Sequence, residues 1–275
     1  MHFAKGQVAV VTGAASGLGF ALAEAYAQRG LDVVLADVEA GPLREATAAI
    51  DALGVAALGV RTDVRSPSEV DGLAATTIER FGRVDVVCNN AGVTTLGLAW
   101  ETSLEDWDWV LSVNLGGVIN GIRAFVPHLV AQNSGHIVNT ASMAGLSNAP
   151  WHGPYVASKH AVVGLTESLA FELSLVAPGV GATVVCPGVV ETRIQDASRN
   201  RPSGDNGLTA DLSEAEMKAV IEWGSSISGP MMTAADAAAI ILRAVEDNRV
   251  HVAPNGTLAG AQARVDHLLA DLRAT

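Results

Sequence analysis

Gln7-Val8-Ala9-Val10-Val11-Thr12-Gly13-Ala14-Ala15-Ser16-Gly17-Leu18-Gly19 decides the fold. Residues 7–12 are a short β-branched apolar run, which reads as a buried strand. Three glycines follow, and then a helical pattern runs through Arg29 and closes at Gly30. Strand, glycine turn and helix form the opening of a nucleotide-binding βαβ unit. Glycines at Gly13, Gly17 and Gly19 let backbone approach a pyrophosphate. The helix N-terminus behind them, at Ser16 and Leu18, offers free N–H groups and a positive dipole end.

The next strand, 32–37, ends in an acid, Asp37, some twenty residues after the glycines. A carboxylate there accepts hydrogen bonds from the adenosine ribose and repels a 2′-phosphate. No Arg or Lys lies in the glycine turn or directly beside Asp37. That predicts NAD, with NADP disfavoured. Further along, helical patterns at 41–53, 66–81, 100–125 and 155–175 alternate with apolar runs at 56–64, 84–88, 136–141, 182–186 and 248–253. The alternation predicts an α/β fold, a Rossmann-type doubly wound sheet of seven parallel strands with helices on both faces. With no repeat or linker, residues 1–275 read as a single catalytic domain. Residues 192–229 are polar and too long for a simple connection. They follow a strand C-terminus, where ligands bind such sheets, and so are expected to form a substrate lid. Ile194, Leu208, Leu212, Met217, Ile221, Trp223 and Ile227 would give the lid an apolar inner face. Met143, Leu146, Trp151 and His152 would form the opposite wall, and His152 is given no chemical role.

Composition narrows the function. The chain has 275 residues, 49% hydrophobic, and a formal net charge of −12. A core is affordable at this size. The acidic balance excludes a nucleic-acid partner and an anionic membrane. Cys88 and Cys186 are the two cysteines, both in apolar runs, so buried free thiols are expected and no metal site or disulfide. No secretory signal and no apolar run long enough to span a bilayer is apparent, which predicts a cytoplasmic protein.

Tyr155 and Lys159 stand four residues apart in a segment begun by Pro154, so they share one helix face. An ammonium near a phenol favours the phenolate and makes a usable general acid/base near neutral pH.

Together, Thr12 to Gly19, Asp63, Asn89-Asn90-Ala91-Gly92, Asn114, Ser142, Tyr155-Val156-Ala157-Ser158-Lys159 and Pro187-Gly188 with Thr192 resemble the short-chain dehydrogenase/reductase family. The resemblance implies a nicotinamide cofactor and a catalytic set of Asn114, Ser142, Tyr155 and Lys159. Tyr155 would exchange the proton and Ser142 would hold the substrate oxygen. Lys159 would lower the tyrosine pKa and grip the nicotinamide ribose, and Asn114 would position a water. Gly13, Ser16, Gly17, Leu18 and Gly19 would cradle the phosphates. Asp37 would meet the ribose, Asp63 and Val64 the adenine, and Asn90, Ala91 and Gly92 the adenosine side. Pro187, Gly188, Val190 and Thr192 would back the nicotinamide. Residues 106–109, 113–121, 197–202 and 244–250 are further similar to the aryl-ether Cα-dehydrogenases, which oxidise bulky benzylic alcohols with NAD. The expected function is NAD-dependent interconversion of a bulky, apolar or aryl-substituted secondary alcohol and its ketone. The alternatives are an NADPH-dependent ketone reductase and a non-catalytic cofactor-binding sensor or scaffold. The apolar surface of 100–125 and 155–175, the helices that usually form the family's dimer bundle, predicts a homo-oligomer, a tetramer. The apolar spacing of Val265, Leu268, Leu269 and Leu272 could add a contact.

Overall fold

The computed structural model describes residues 1–202, 212–227 and 229–273. It contains strands β1 (Val8–Thr12), β2 (Asp32–Asp37), β3 (Ala57–Arg61), β4 (Val86–Asn89), β5 (Gly135–Thr140), β6 (Val180–Val185) and β7 (His251–Val252). All pair in parallel, in the order β3-β2-β1-β4-β5-β6-β7. This is the expected Rossmann-type sheet. The order reverses between β1 and β4, and a crevice opens there at the carboxyl ends of the strands.

Two apolar layers hold the sheet. Helices α1 (Gly17–Gln28), α2 (Ala40–Asp51) and α8 (Ala234–Glu246) cover one face through Leu22, Tyr26, Ile50, Ile241 and Val245. Helices α3 (Pro67–Phe81), α5 (Gly117–Gln132) and α6 (Gly153–Val176) cover the other through Val70, Leu73, Phe125, Leu129 and Leu173. Each fully buried Leu, Ile or Phe of these layers contributes roughly 1.5–3 kcal/mol of transfer free energy.

The pattern at 100–125 resolves into three pieces. Helix α4 (Leu104–Leu111) is begun by Ser103, whose hydroxyl accepts from Asp106 N at 3.1 Å. A π-helical turn (Ser112–Gly116) then leads into α5, which continues past Phe125 to Gln132. By length and composition this run, Leu104–Gln132, is apolar enough to cross a membrane, contrary to the expectation that no such stretch exists, although half of its most apolar window is buried within the fold. Helix α8 was not anticipated from the sequence. Its start carries a clear signal nonetheless, since Thr233 Oγ1 accepts from Asp236 N at 3.1 Å. Helix α7 (Glu214–Ile227) lies within the stretch 192–229. Helix α9 (Leu258–Arg273) has no buried residue and leaves Leu258, Val265, Leu268, Leu269 and Leu272 exposed.

Candidate active site

Gly13 and Gly17, with φ of 65° and 54°, turn the chain between β1 and α1. A Cβ at Gly13 would come within 2.9 Å of Ala91 Cα, and one at Gly19 would overlap the Gly13 carbonyl oxygen. The missing side chains therefore seat α1 tightly against the β4 loop. Ser16 stands at the N-cap of α1 but its side chain makes no capping bond. The first-turn N–H groups of α1 consequently face the crevice without a capping side chain, which suits an anion. Thr12 Oγ1 anchors the opposite rim, accepting from Asn90 N at 2.9 Å and Ala91 N at 3.1 Å. Asn90 Nδ2 donates to Thr12 O at 3.1 Å.

These residues open onto a cleft of about 470 Å³ that also runs past Asp37, Asp63, Val64, Gly92, Ser142, Tyr155, Lys159, Pro187, Gly188, Val190 and Thr192. A single cavity thus unites the sequence-derived cofactor and catalytic positions, apart from Asn114, which is fully buried behind it. The uncapped helix end and side-chain-free turn at one end fit a dinucleotide phosphate.

At the acidic end, Asp37 Oδ2 accepts from Ala15 N at 3.0 Å and Oδ1 from Glu39 N at 3.0 Å. Each oxygen keeps a lone pair for a further donor. Asp63 is more engaged than the sequence suggested. Both its oxygens take the Arg65 guanidinium, at 2.6–3.0 Å, and this pairing holds its pKa below the usual carboxylate range.

At the other end, the Tyr155 and Ser142 side chains line the same stretch of the cleft, and the Ser142 hydroxyl accepts from Ala144 N at 3.1 Å. Lys159 is buried, donates from Nζ to Thr140 O at 2.8 Å, and lies 5.4 Å from the centre of the Tyr155 ring. Burial lowers the Lys159 pKa to about 8. Burial likewise raises the Tyr155 hydroxyl above its ordinary value, with the nearby Ser142 hydroxyl acting in the opposite sense. The expected depression of the tyrosine pKa is therefore not the net direction in the protein by itself: desolvation outweighs it. Asn114 sits on the π-helical turn. Its Oδ1 accepts from Val93 N at 2.8 Å, and its Nδ2 donates to Val93 O at 3.0 Å and Ser158 Oγ at 3.1 Å. A Cβ at Gly92 would lie 3.5 Å from Asn114 Oδ1 and 3.6 Å from Lys159 Nζ, so glycine leaves the path between those two groups open. Cys88 and Cys186 are buried and free, each with its thiol pKa pushed up to about 12 by burial. Among the described residues, no group of three or more His, Cys, Asp or Glu is arranged to hold a metal.

Several expectations about the cleft walls require correction. Met143 packs in the core with Val162 and Val184 instead of lining the cleft, and Leu146 packs against that cluster. Trp151 is not among the lining residues, whereas His152 is. Of the proposed lid residues, Ile194 and Trp223 line the cleft, while Met217 and Ile221 are exposed away from it and Leu212 does not reach it. Leu208 lies outside the described residues, as does the side chain of Ile227. The first part of the lid behaves differently from expectation. The 3-10 turn Ile194–Asn200 buries Ala197 against Val64, Trp109, Val110 and Val113. Arg199 donates to both Glu39 carboxylate oxygens, at 3.1 and 3.0 Å, and Arg201 pairs with buried Asp106. This segment roofs the acidic end of the cleft, not only the Tyr155 end.

The sequence reading passed over Glu39, Arg65 and Arg199 at the acidic rim. Distance along the chain hid the pairing of Glu39 with Arg199, 160 residues apart, whereas Arg65 stands two residues from its partner Asp63 and was within reach of the sequence.

The short chain dehydrogenase family model matches residues 7–203. A short chain dehydrogenase/reductase from Burkholderia phymatum, solved in complex with NAD, is 42% identical with a TM-score of 0.84, covering 92% of this chain and 90% of that one. The C alpha-dehydrogenase of Sphingobium sp. (strain NBRC 103272 / SYK-6) is 35% identical over 90% of this chain and 80% of its own length. The 2-(R)-hydroxypropyl-CoM dehydrogenase of Xanthobacter autotrophicus (strain ATCC BAA-1158 / Py2) is 35% identical over 86% of this chain and 96% of its own.

Proposed function

The chain belongs to the short-chain dehydrogenase family, and we propose that it interconverts a bulky secondary alcohol and its ketone with NAD. The observation that carries this reading is the meeting of Tyr155, Ser142 and Lys159 at one end of a cleft whose other end is the uncapped glycine turn. Bound there, a nicotinamide dinucleotide supplies or takes the hydride. Gly13, Ser16, Gly17, Leu18 and Gly19 would hold its diphosphate, and Asp37 its adenosine ribose. Val64, Asp63, Asn90, Ala91 and Gly92 would line the adenosine side, and Pro187, Gly188, Val190 and Thr192 the nicotinamide side.

Within this arrangement Ser142 fixes the substrate oxygen and Tyr155 exchanges its proton. In ketone reduction the raised tyrosine pKa keeps that proton available for donation. In alcohol oxidation the buried Lys159 ammonium, held on Thr140 O, stabilises the phenolate that must form first. Asn114 orients the β4 loop through Val93, and it would hold a water on the route from Lys159 to solvent. Ile194, Trp223 and Met231 give the substrate end apolar walls, which supports a bulky apolar or aryl-substituted substrate.

A second reading, NADPH-dependent ketone reduction, is favoured by one feature. Arg65, Arg193 and Arg199 all line the acidic end and could meet a 2′-phosphate. Against it, Arg65 and Arg199 are already paired with Asp63 and Glu39. In the NAD-dependent reading the chain is a single catalytic domain with a lid at 192–229, a cytoplasmic homotetramer. Exposed Phe171, Leu175 and Val176 on α6 support self-association.

The test is Tyr155→Phe, assayed with a panel of secondary alcohols and NAD. Loss of ~10²–10⁴-fold in kcat is expected, the usual contribution of a general acid/base, with NADH binding kept. More than about a tenth of wild-type kcat would rule out the assignment.

A further inference from the structure

His152 reaches the cleft by way of a strained residue. Trp151 has a φ of 58°, in the left-handed region that a bulky side chain rarely adopts. The conformation is held where Gly97 N donates to Trp151 O at 2.8 Å and Gly97 bridges His152 as an isolated parallel pair. His152 then stands directly before α6, three residues ahead of Tyr155. Its imidazole lines the cleft between Tyr155 and Trp223, with ring centroids 6.3 and 6.0 Å away.

The ring has a defined polarity. Nδ1 lies 2.8 Å from the carbonyl oxygen of Pro150. A carbonyl oxygen only accepts, so Nδ1 carries the proton, and the neutral ring bears its lone pair on Nε2. Burial lowers the His152 pKa and favours that neutral form. Among the described residues no hydrogen bond reaches Nε2. A bare acceptor therefore stands in the cleft wall between the Trp223 ring and the group that handles the reacting oxygen.

We propose that His152 determines specificity by accepting, at Nε2, a hydrogen bond from a second hydroxyl on the substrate, so that the enzyme selects hydroxylated alcohols over their ethers. The proposal rests on the alcohol–ketone reading above. A substrate with an ether, carboxylate or phosphate at that place would bring lone pairs against the lone pair of Nε2 and leave it unsatisfied.

Phenylethylene glycol and its terminal methyl ether share the reacting carbinol and differ in the second donor. The wild-type enzyme is expected to favour the glycol by about three- to tenfold in kcat/KM, the value of one neutral hydrogen bond. His152→Phe should collapse that ratio to near one, and His152→Gln, which keeps an acceptor, should restore part of it. A merely structural role would lower both substrates alike and leave the ratio intact. A wild-type ratio near one, or a ratio that survives in His152→Phe, overturns the proposal. Nitrogen-15 correlated NMR of the imidazole in the full chain with NADH gives a readout without turnover. Nε2 should be unprotonated and should shift on adding the corresponding hydroxyketone but not the methoxyketone. A proton on Nε2, or equal shifts with both ketones, also overturns it. If neither alcohol reacts, the alcohol–ketone reading fails, and the NMR result decides the His152 assignment by itself.

Discussion

Removing Arg201 should loosen cofactor far more than removing Arg199, although both side chains fasten the same roof. The two ion pairs differ in burial. The side chains of Arg201 and Asp106 are 10% and 4% exposed, and the guanidinium lies 5.8 Å over the Trp109 ring. Arg201→Met leaves the Asp106 carboxylate in that setting with the Ser103 hydroxyl and its own helix N-terminus for company. Breaking one side of such a pair costs about 3–5 kcal/mol. The segment 194–201 can escape part of that cost by undocking, which weakens the roofed state by ~10²-fold or more at 1.4 kcal/mol per decade. Arg199 and Glu39 are 25% and 18% exposed and face the solvent rim. An accessible pair contributes roughly 0.2–1 kcal/mol, or at most about fivefold. Stopped-flow release of NADH, followed by its fluorescence, should therefore be about 10²-fold faster in Arg201→Met and less than about fivefold faster in Arg199→Met. The KM for NAD should move in parallel, with thermal melts confirming that both variants fold. Release at the wild-type rate in both, or a larger effect from Arg199→Met, would show that this roof does not retain the dinucleotide.

Three further outcomes are expected. Asp37→Ser should lower the ratio of kcat/KM for NAD over NADP by about tenfold or more by removing the charge that opposes a 2′-phosphate, and an unchanged ratio would mean that Asp37 does not meet the ribose. Lys159→Met should abolish turnover yet raise Tm near pH 7, because burial holds the folded-state lysine pKa down at about 8 against an ordinary 10.5. Between those values the unfolded chain binds a proton that the folded protein does not, so wild-type stability climbs with pH across that window and the advantage of Lys159→Met should shrink there; a variant less stable at every pH would refute this. Light scattering at micromolar protein should give a mass near four chains, and a clean monomer would refute the tetramer.

The sequence was most legible where structure is local. The β1 run, Gly13, Gly17 and Gly19, the acid ending β2 and the Pro154 start of α6 depend on neighbours a few residues away, and each occurs in the structure as read. The π-helical turn was hidden because a helix that accommodates one extra residue keeps its apolar rows on either side, so 100–125 read as one uniform helix. Helix α8 was missed although Ala237, Ala238, Ile241, Leu242 and Val245 form its buried face. That face contrasts clearly with the polar one, so with the Thr233 cap the helix was legible in the sequence. The pairings of Glu39 with Arg199 and of Asp106 with Arg201 follow from tertiary packing, and no local pattern announces them. The left-handed φ of Trp151 was equally invisible, since that conformation normally points to Gly or Asn and here falls on a tryptophan.

The departures from local rules are themselves concentrated around the cleft. Helices α3, α4 and α8 begin with Ser66, Ser103 and Thr233, each of which caps a backbone N–H with its hydroxyl. Helix α1, whose start lines the cleft, begins with a serine that caps nothing. The long helical run is regular except at the π turn that carries Asn114. Lys159 is the buried lysine, and a hydrophobic residue of similar length would avoid its desolvation cost. Among the positive-φ residues other than glycine, Asn133, Asn248 and Asn255 are of a type suited to that region, and the exception, Trp151, adjoins His152 in the cleft wall. A chain selected for stability alone would cap α1, replace Lys159 and relax Trp151. Keeping all three next to one cavity is what binding an anion, tuning a tyrosine and aiming an imidazole require.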